Sequence, residues 1–465
     1  MPPLIYAGRF DPKFLGVAIR AKSTAEVQSF RLNDRSAEAD IAILTALADE
    51  AVVSDLSRQT VLQHETRHFH DALLSPFGQA ATRLRVAASY NGFIVGMMVK
   101  RIGKKANALP VPLQRWLVMP ETERAAYLAD AGRGRVLRPP SLPVLALDDD
   151  LSEFSPGPME FPYNAEALIT GCRVALSAYQ RVADLWRSPY RRGQELVAPA
   201  IDIWETSALI CQFAAVEENT NGDIMNRFSA WVHQRGPRAY REGLAVLDWF
   251  LTVVGWEPSL RNLLVVATWA QLGRFKSEML ASSPSDRLGR IVAAAQEGKR
   301  WSSDASFADI ARGWDEVIET DSIGGVREAS TDYQGFAAQA PGRYGQVPGL
   351  PELLGQISAA HQRMLAAFLD DLDGYVDPYT YLGQQSAYPA PCVGISYLTG
   401  PDSGTEWVDA TPADLHPAID FDSALILTAI TELADAIFLP GATSLQESGR
   451  YEIRARLDLE AIRII

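Results

Sequence analysis

Three of the six histidines in this chain lie within seven consecutive residues, from His64 to His70. His64 and His68 are one helical turn apart, so on a helix their imidazoles would lie about 40° apart on one face and could bind one cation. Glu65 lies beside them, where it could accept a proton from a water molecule that a metal activates. His70 would point to the opposite side of the helix, so it is not expected to be a ligand. This spacing is typical of a metal site that performs hydrolysis.

The pattern His64-Glu65-x-x-His68 resembles the motif of the zincin metallopeptidases. The resemblance implies that the two histidines bind Zn²⁺, that Glu65 is the general base, and that the substrate is a peptide or protein. In zincins a strand leads into the motif helix, and residues 51–55 have the composition of a short strand. The third histidine of the metzincin subclass would stand at position 74, which is Leu74. The gluzincin-like variant, whose third ligand is a glutamate from a later helix, is therefore the closer resemblance.

A catalytic zinc site usually takes three protein ligands, so a third must come from elsewhere in the chain. Glu205 lies in a strongly apolar segment, where an unpaired carboxylate costs several kcal/mol of desolvation. It therefore needs a partner, either a metal or an arginine such as Arg67. Glu166 stands at a predicted helix start, where the helix dipole already accounts for a carboxylate. The sequence predicts Glu205 as the third ligand and leaves as alternatives Glu166, Asp71, Glu217 and Glu218.

The residue that would stabilise a developing oxyanion is not determined by the sequence, and the candidates are His233, Tyr240 and His361. Two functions remain open. The first is a zinc-dependent metallohydrolase, and in particular a peptidase. The alternative is a non-catalytic binding or structural protein in which the metal stabilises a zincin-like scaffold.

Composition narrows the class of protein. The net charge of −14 argues against nucleic acid and anionic membranes as partners and favours basic substrates. The three cysteines are far apart in the sequence and predict no disulfide framework. The apolar segments 244–256 and 260–272 are too short to cross a bilayer, and the first residues lack the pattern of a signal peptide. We expect a cytoplasmic protein and make no prediction of its oligomeric state.

The hydrophobic pattern predicts a mostly α protein of the α+β class, with a large helical domain and a small N-terminal sheet. The sheet is predicted from strand-like segments at 4–10 and 26–32 and from a segment at 41–47 that could be strand or helix. Helices are predicted at 78–102, 121–131, 165–186, 199–218, 224–234, 240–254, 260–277, 307–320, 351–372 and 423–438, besides the motif helix.

Three regions are predicted along the chain. Residues 1–321 form the zincin-like metal-binding helical domain, and residues 351–465 form a C-terminal region of helices and loops. The segment between them, 322–350, is rich in Gly, Pro, Ser and Gln and is predicted to be a linker or a flap.

Overall fold

The computed structural model describes the following residues: 8–11, 14–21, 60–102, 122, 191–192, 195–196, 199–220, 222–273, 283–345, 347–398 and 405–438. These residues are mostly helical and contain a small sheet, so the predicted fold class is confirmed. Among them, no helix combines the length and the apolar character needed to cross a membrane.

Fourteen α-helices lie in the described part of the chain. They are α1 (Val61–Leu74), α2 (Pro76–Ile102), α3 (Ala200–Asn219), α4 (Gly222–Arg235), α5 (Arg238–Val254), α6 (Leu260–Gln271), α7 (Pro284–Gln296), α8 (Phe307–Ile318), α9 (Ser322–Ala338), α10 (Ala340–Tyr344), α11 (Leu350–Asp370), α12 (Leu372–Val376), α13 (Pro378–Gly383) and α14 (Phe421–Phe438).

The larger sheet joins strands from distant parts of the sequence. Its members are β1 (Gly8–Asp11), β2 (Gly16–Ala21), β5 (Val393–Leu398) and β6 (Thr405–Asp409), in the order β1-β2-β5-β6. The outer pairs are antiparallel, whereas β2 and β5 are parallel. A separate two-stranded ribbon consists of β3 (Arg191–Arg192) and β4 (Glu195–Leu196).

The motif helix α1 lies at the centre of the packing. It contacts α2, α3 and α11 as well as strands β1 and β2, and all but two of its residues are buried. The helix ends at Leu74 because Pro76 disfavours helical backbone in Ser75, which is extended. The Ser75 hydroxyl then accepts a hydrogen bond from the backbone N–H of Gly78 and caps α2. The break between α1 and α2 is therefore sharp, and α1 can pack on every side.

Most predicted helices in the described part of the chain appear with their ends shifted by a few residues, as for 224–234, which lies within α4. The prediction for segment 322–350 is wrong over residues 322–344, because α9 and α10 occupy them. The Asp321 side chain caps the start of α9, and Val326, Tyr333 and Phe336 bury one face of it. Those apolar residues outweigh the high content of Gly and Ser.

Two further features were not predicted. Helix α7 begins after Ser283, whose side chain accepts a hydrogen bond from Asp286 N, and its first residue is a proline. Strands β5 and β6 lie in a stretch that the sequence predicted as loop-rich. The predictions at 26–32, 41–47, 51–55 and 165–186 fall outside the described residues, as does the helix at 121–131 except for residue 122.

Candidate metal centre

Helix α1 presents His64 and His68 on one face, as their spacing predicts. The two rings lie edge to face, with centroids 4.7 Å apart, and the two residues are 1% and 3% exposed. Glu65 is also buried, and one ligand atom from each of these three residues lies within 4.8 Å of the others. The motif therefore forms a compact group of potential metal ligands.

Helix α3 brings Glu205 to the same place. Its Oε2 atom lies 3.5 Å from Nε2 of His64 and 3.3 Å from Nε2 of His68. One carboxylate oxygen is thus shared between the two imidazoles. The Glu205 side chain is 27% exposed, whereas the histidine side chains are almost fully enclosed. Of the three side chains, that of Glu205 is the most exposed to solvent.

The electrostatics of this cluster favour an ionised Glu205. Burial by itself would raise the pKa of its carboxyl group, but the two neighbouring histidines lower that pKa well below its usual range. Burial lowers the pKa of His64, despite its hydrogen bond to Glu205. Burial also acts against a charged His68, yet the carboxylate of Glu205 outweighs it and raises the pKa of His68. The site holds a partly exposed negative charge and an imidazole that prefers its neutral, metal-binding form.

Further side chains fix the two histidine rings. Trp204, the neighbour of Glu205 on α3, stacks on His68 with ring centroids 5.8 Å apart. Gln212 forms a hydrogen bond with His64 and donates another, of 2.7 Å, to the hydroxyl of Thr60 at the start of α1. Ligand rings that are held in this way keep their orientation when a metal is bound or released.

Of the three candidate oxyanion donors, the structure places Tyr240 beside the site. Its hydroxyl lies 3.3 Å from Nε2 of His64. Tyr240 belongs to α5, which crosses α3 closely at Gly243, where an added Cβ atom would lie 2.5 Å from the Asp202 carbonyl oxygen. His233 is exposed on α4, and His361 is buried against Tyr333 on α9.

The alternative third ligands are not in this position. Asp71 pairs with Arg67, their Oδ1 and Nε atoms being 3.1 Å apart, so Arg67 does not neutralise Glu205. Glu217 and Glu218 are exposed near the end of α3, where Glu217 accepts a hydrogen bond from the Tyr379 hydroxyl. Glu166 lies outside the described residues. The structure thus brings Glu205 to the histidines, and its binding of a metal stays a prediction.

His70 takes no part in the site. Its Nδ1 atom lies 2.7 Å from the hydroxyl of Tyr381 and its Nε2 atom 2.9 Å from the carbonyl oxygen of Pro389. Burial lowers the pKa of His70 to about 3. This neutral histidine ties α1 to the C-terminal part of the chain.

Comparisons with family models, with curated proteins and with solved structures find no match to this chain.

Proposed function

We propose that this protein is a zinc-dependent metallohydrolase, with His64, His68 and Glu205 as metal ligands. The observation that carries the proposal is the pair of distances from Glu205 Oε2 to the two imidazole nitrogens, 3.3 and 3.5 Å. Zinc bonds to nitrogen and oxygen are about 2.0–2.2 Å long, so neighbouring ligand atoms of a tetrahedral site lie about 3.3–3.5 Å apart. The Glu205 carboxylate therefore lies from each imidazole at a distance that suits two ligands of one tetrahedral ion.

The donor set also favours zinc. Two imidazoles and one carboxylate, with the fourth position left for water, form a common ligand set of catalytic zinc sites. Magnesium and calcium prefer sites made of oxygen ligands alone. The partial exposure of the Glu205 side chain leaves one side of the centre in contact with solvent, which a bound water requires.

The residues around the centre suit hydrolysis of a peptide bond. Zinc, when bound, lowers the pKa of a water molecule and polarises the substrate carbonyl. Glu65 accepts the proton of the attacking water as the hydroxyl adds to the carbonyl carbon, and it transfers that proton to the leaving amine when the C–N bond breaks. The Tyr240 hydroxyl donates a hydrogen bond to the developing oxyanion. The net reaction adds one water across one amide bond.

Charge near the centre favours basic peptide or protein substrates. Asp202 lies one turn before Glu205 on α3, and burial, followed by the carboxylate of Glu242, raises its pKa to about 6. At neutral pH it adds a negative charge beside the proposed metal. The overall charge of −14 acts in the same direction and disfavours nucleic acid and anionic membranes.

We place the protein in the cytoplasm. Cys211 and Cys392 are buried free thiols. Proteins of reducing compartments commonly keep such thiols unpaired.

The test combines elemental analysis of the purified protein with a broad screen of peptide cleavage. We expect about one zinc per chain and metal-dependent hydrolysis. Glu65→Gln should retain the zinc and lose hydrolysis, because the amide cannot accept the proton. His64→Ala and His68→Ala should lose most of the zinc.

Two outcomes would contradict the proposal. Full zinc occupancy in both histidine variants would show that the ion binds elsewhere. Zinc binding without cleavage of any peptide would favour the alternative, in which the metal stabilises a binding or structural protein.

A further inference from the structure

A buried hydrogen bond connects the two helices that carry the candidate ligands. The hydroxyl of Ser207 on α3 donates to Oδ2 of Asp71 on α1, at 2.8 Å. Asp71 lies three residues after His68, and Ser207 lies two residues after Glu205. Both residues are buried. The bond therefore joins α1 to α3 within one helical turn of a proposed ligand on each helix.

Asp71 is itself held by two further groups. The hydroxyl of Tyr375 on α12 donates to its Oδ1 at 2.9 Å, and Nε of Arg67 lies 3.1 Å from the same atom. The fully buried Arg67 also donates to the carbonyl oxygen of Tyr375 at 3.0 Å and to the hydroxyl of Thr268 at 2.9 Å. The carboxylate consequently has little freedom to rotate.

We infer that Asp71 and Ser207 are positioning residues that set the place of the Glu205 carboxylate relative to His64 and His68. This inference rests on the proposed function. A helix advances about 1.5 Å and turns about 100° per residue, so a small slide or rotation of α3 would move Glu205 out of reach of both imidazoles. The hydrophobic effect is non-directional, whereas the Asp71–Ser207 bond has a defined length and direction and specifies one register of α3 on α1.

Further contacts between α1 and α3 act on the histidine rings or at the start of α1. The stacking of Trp204 on His68 fixes the ring but tolerates sliding in its plane, and the bond from Gln212 to Thr60 lies at the far end of α1. Gln212 also bonds to the His64 ring itself, whereas the Ser207 hydroxyl gives α3 a short directional bond to a residue of α1 outside the proposed ligand set.

The chain offers a matched control for Ser207. Ser322 is equally buried, and its hydroxyl donates to a buried aspartate, Asp315, which also pairs with a buried arginine, Arg287. Ser207→Ala and Ser322→Ala therefore remove the same group from two similar surroundings. The second set of residues belongs to α7, α8 and α9, and none of them is a candidate ligand.

The experiment measures zinc affinity of the full-length wild type and both variants by competition with a chelating dye, together with the visible spectrum of the Co²⁺ form. Ser207→Ala should weaken zinc binding by about tenfold or more, the usual effect of losing a group that orients a ligand, and should alter the Co²⁺ spectrum. Ser322→Ala should change zinc affinity less than about twofold. Ser322→Ala should lower the melting temperature at least as much as Ser207→Ala, since the Ser322 hydroxyl donates to Asp315 and also accepts from Arg287.

Tyr375→Phe provides a second reading if Ser207→Ala does not fold, because it removes another bond to Asp71 without touching α3. It should weaken zinc binding by less than Ser207→Ala, and an unchanged affinity in a folded Tyr375→Phe protein would then count against the inference. Equal zinc affinities and spectra for Ser207→Ala, Ser322→Ala and the wild type would overturn the positioning role alone. A wild type that binds no zinc would overturn the proposed function and the positioning role with it.

Discussion

The molecule contains two buried arginine–aspartate pairs of similar composition, Arg67–Asp71 and Arg287–Asp315. In both, the guanidinium carbon lies 4.0 Å from the centre of an aromatic ring, and a serine hydroxyl donates to the aspartate. The charged atoms are 3.1 Å apart in the first pair and 3.6 Å apart in the second. The same residue types thus form a tight pair beside the proposed metal centre and a looser one elsewhere.

The pKa values of the two arginines differ in the same sense as the geometry of the two pairs. Burial disfavours the charged form of Arg67, yet Asp71 and the neighbouring tyrosines outweigh it and raise the pKa. Burial lowers the pKa of Arg287 to about 10, because Asp315 compensates it only in part. We do not expect Arg287 to lose its proton at neutral pH, since a free guanidinium keeps it above pH 12. Asp71 thus compensates the burial of Arg67 more fully than Asp315 compensates that of Arg287.

The largest expected effect is on stability when each arginine is removed. Arg67→Met leaves Asp71 buried with two neutral donors and should lower the free energy of unfolding by about 4 kcal/mol. Arg287→Met should cost about half as much, because Asp315 still accepts from the Ser322 backbone, the Ser322 hydroxyl and the Trp269 indole. Urea unfolding of both variants measures the difference. Equal losses would remove the distinction between the two pairs.

The second-largest expected effect is that of zinc removal, which should change the region around Arg67–Asp71 and not the region around Arg287–Asp315. At free zinc 100 times the dissociation constant, a chelator should lower the free energy of unfolding by about 2.7 kcal/mol. Hydrogen exchange should become faster in α1 and α3 and stay unchanged in α7 and α8, since only the first pair is connected to the ligands. A uniform increase over all four helices would contradict this separation. His68→Ala serves as the control, because chelation should have no effect on it.

The smallest expected effect is the pH dependence of stability that arises from Asp315 in the Arg287–Asp315 pair. Burial raises the pKa of Asp315, and the hydrogen bonds from Ser322 and the charge of Arg287 offset this only in part. A raised pKa means that the folded state binds the proton more tightly than the unfolded state does. The resulting stability is fully present below the unfolded value of 3.8 and is lost as pH rises through the folded value.

Unfolding measurements from acidic to neutral pH should therefore show the wild type losing stability relative to Asp315→Asn as pH rises. Asp309→Asn is the control of opposite sign. Hydrogen bonds from Ser306 and Arg312 lower the pKa of Asp309, so its contribution is lost as pH falls. Parallel pH profiles for the wild type and Asp315→Asn would show that the raised pKa is wrong.

Local signals indicate the motif helix and single out Glu205, whereas the binding of a metal by these residues stays a prediction. The spacing of His64 and His68 requires only a helix, and Glu205 is conspicuous as an acid in an apolar segment. Arg67 and Asp71 have the i, i+4 spacing of a helical ion pair, so their pairing can also be predicted from the sequence. The linker prediction at 322–350 is wrong because the composition of the segment hides the helical spacing of its apolar residues, Val326, Tyr333 and Phe336, which are buried in α9.

Long-range partners are beyond such local signals. Nothing in the sequence near Asp71 indicates Ser207 or Tyr375, which lie 136 and 304 residues away. The same holds for β5, whose parallel partner is β2 at the other end of the described chain. These contacts depend on packing of the whole molecule, which no short window of sequence contains.

The hydrogen bonds of α1 to residues far along the sequence have a consequence for folding during translation. Arg67 and His70 find partners 308 and 319 residues later, at Tyr375 and Pro389. The motif helix therefore leaves the ribosome long before the residues that fix it, at a usual rate of about 5–20 residues per second. Over that interval its buried arginine and histidines lack their final surroundings, and closing so long a loop is slow. The surroundings of Arg67 and His70 are therefore completed only after α12, α13 and Pro389 have been made, long after α1 itself.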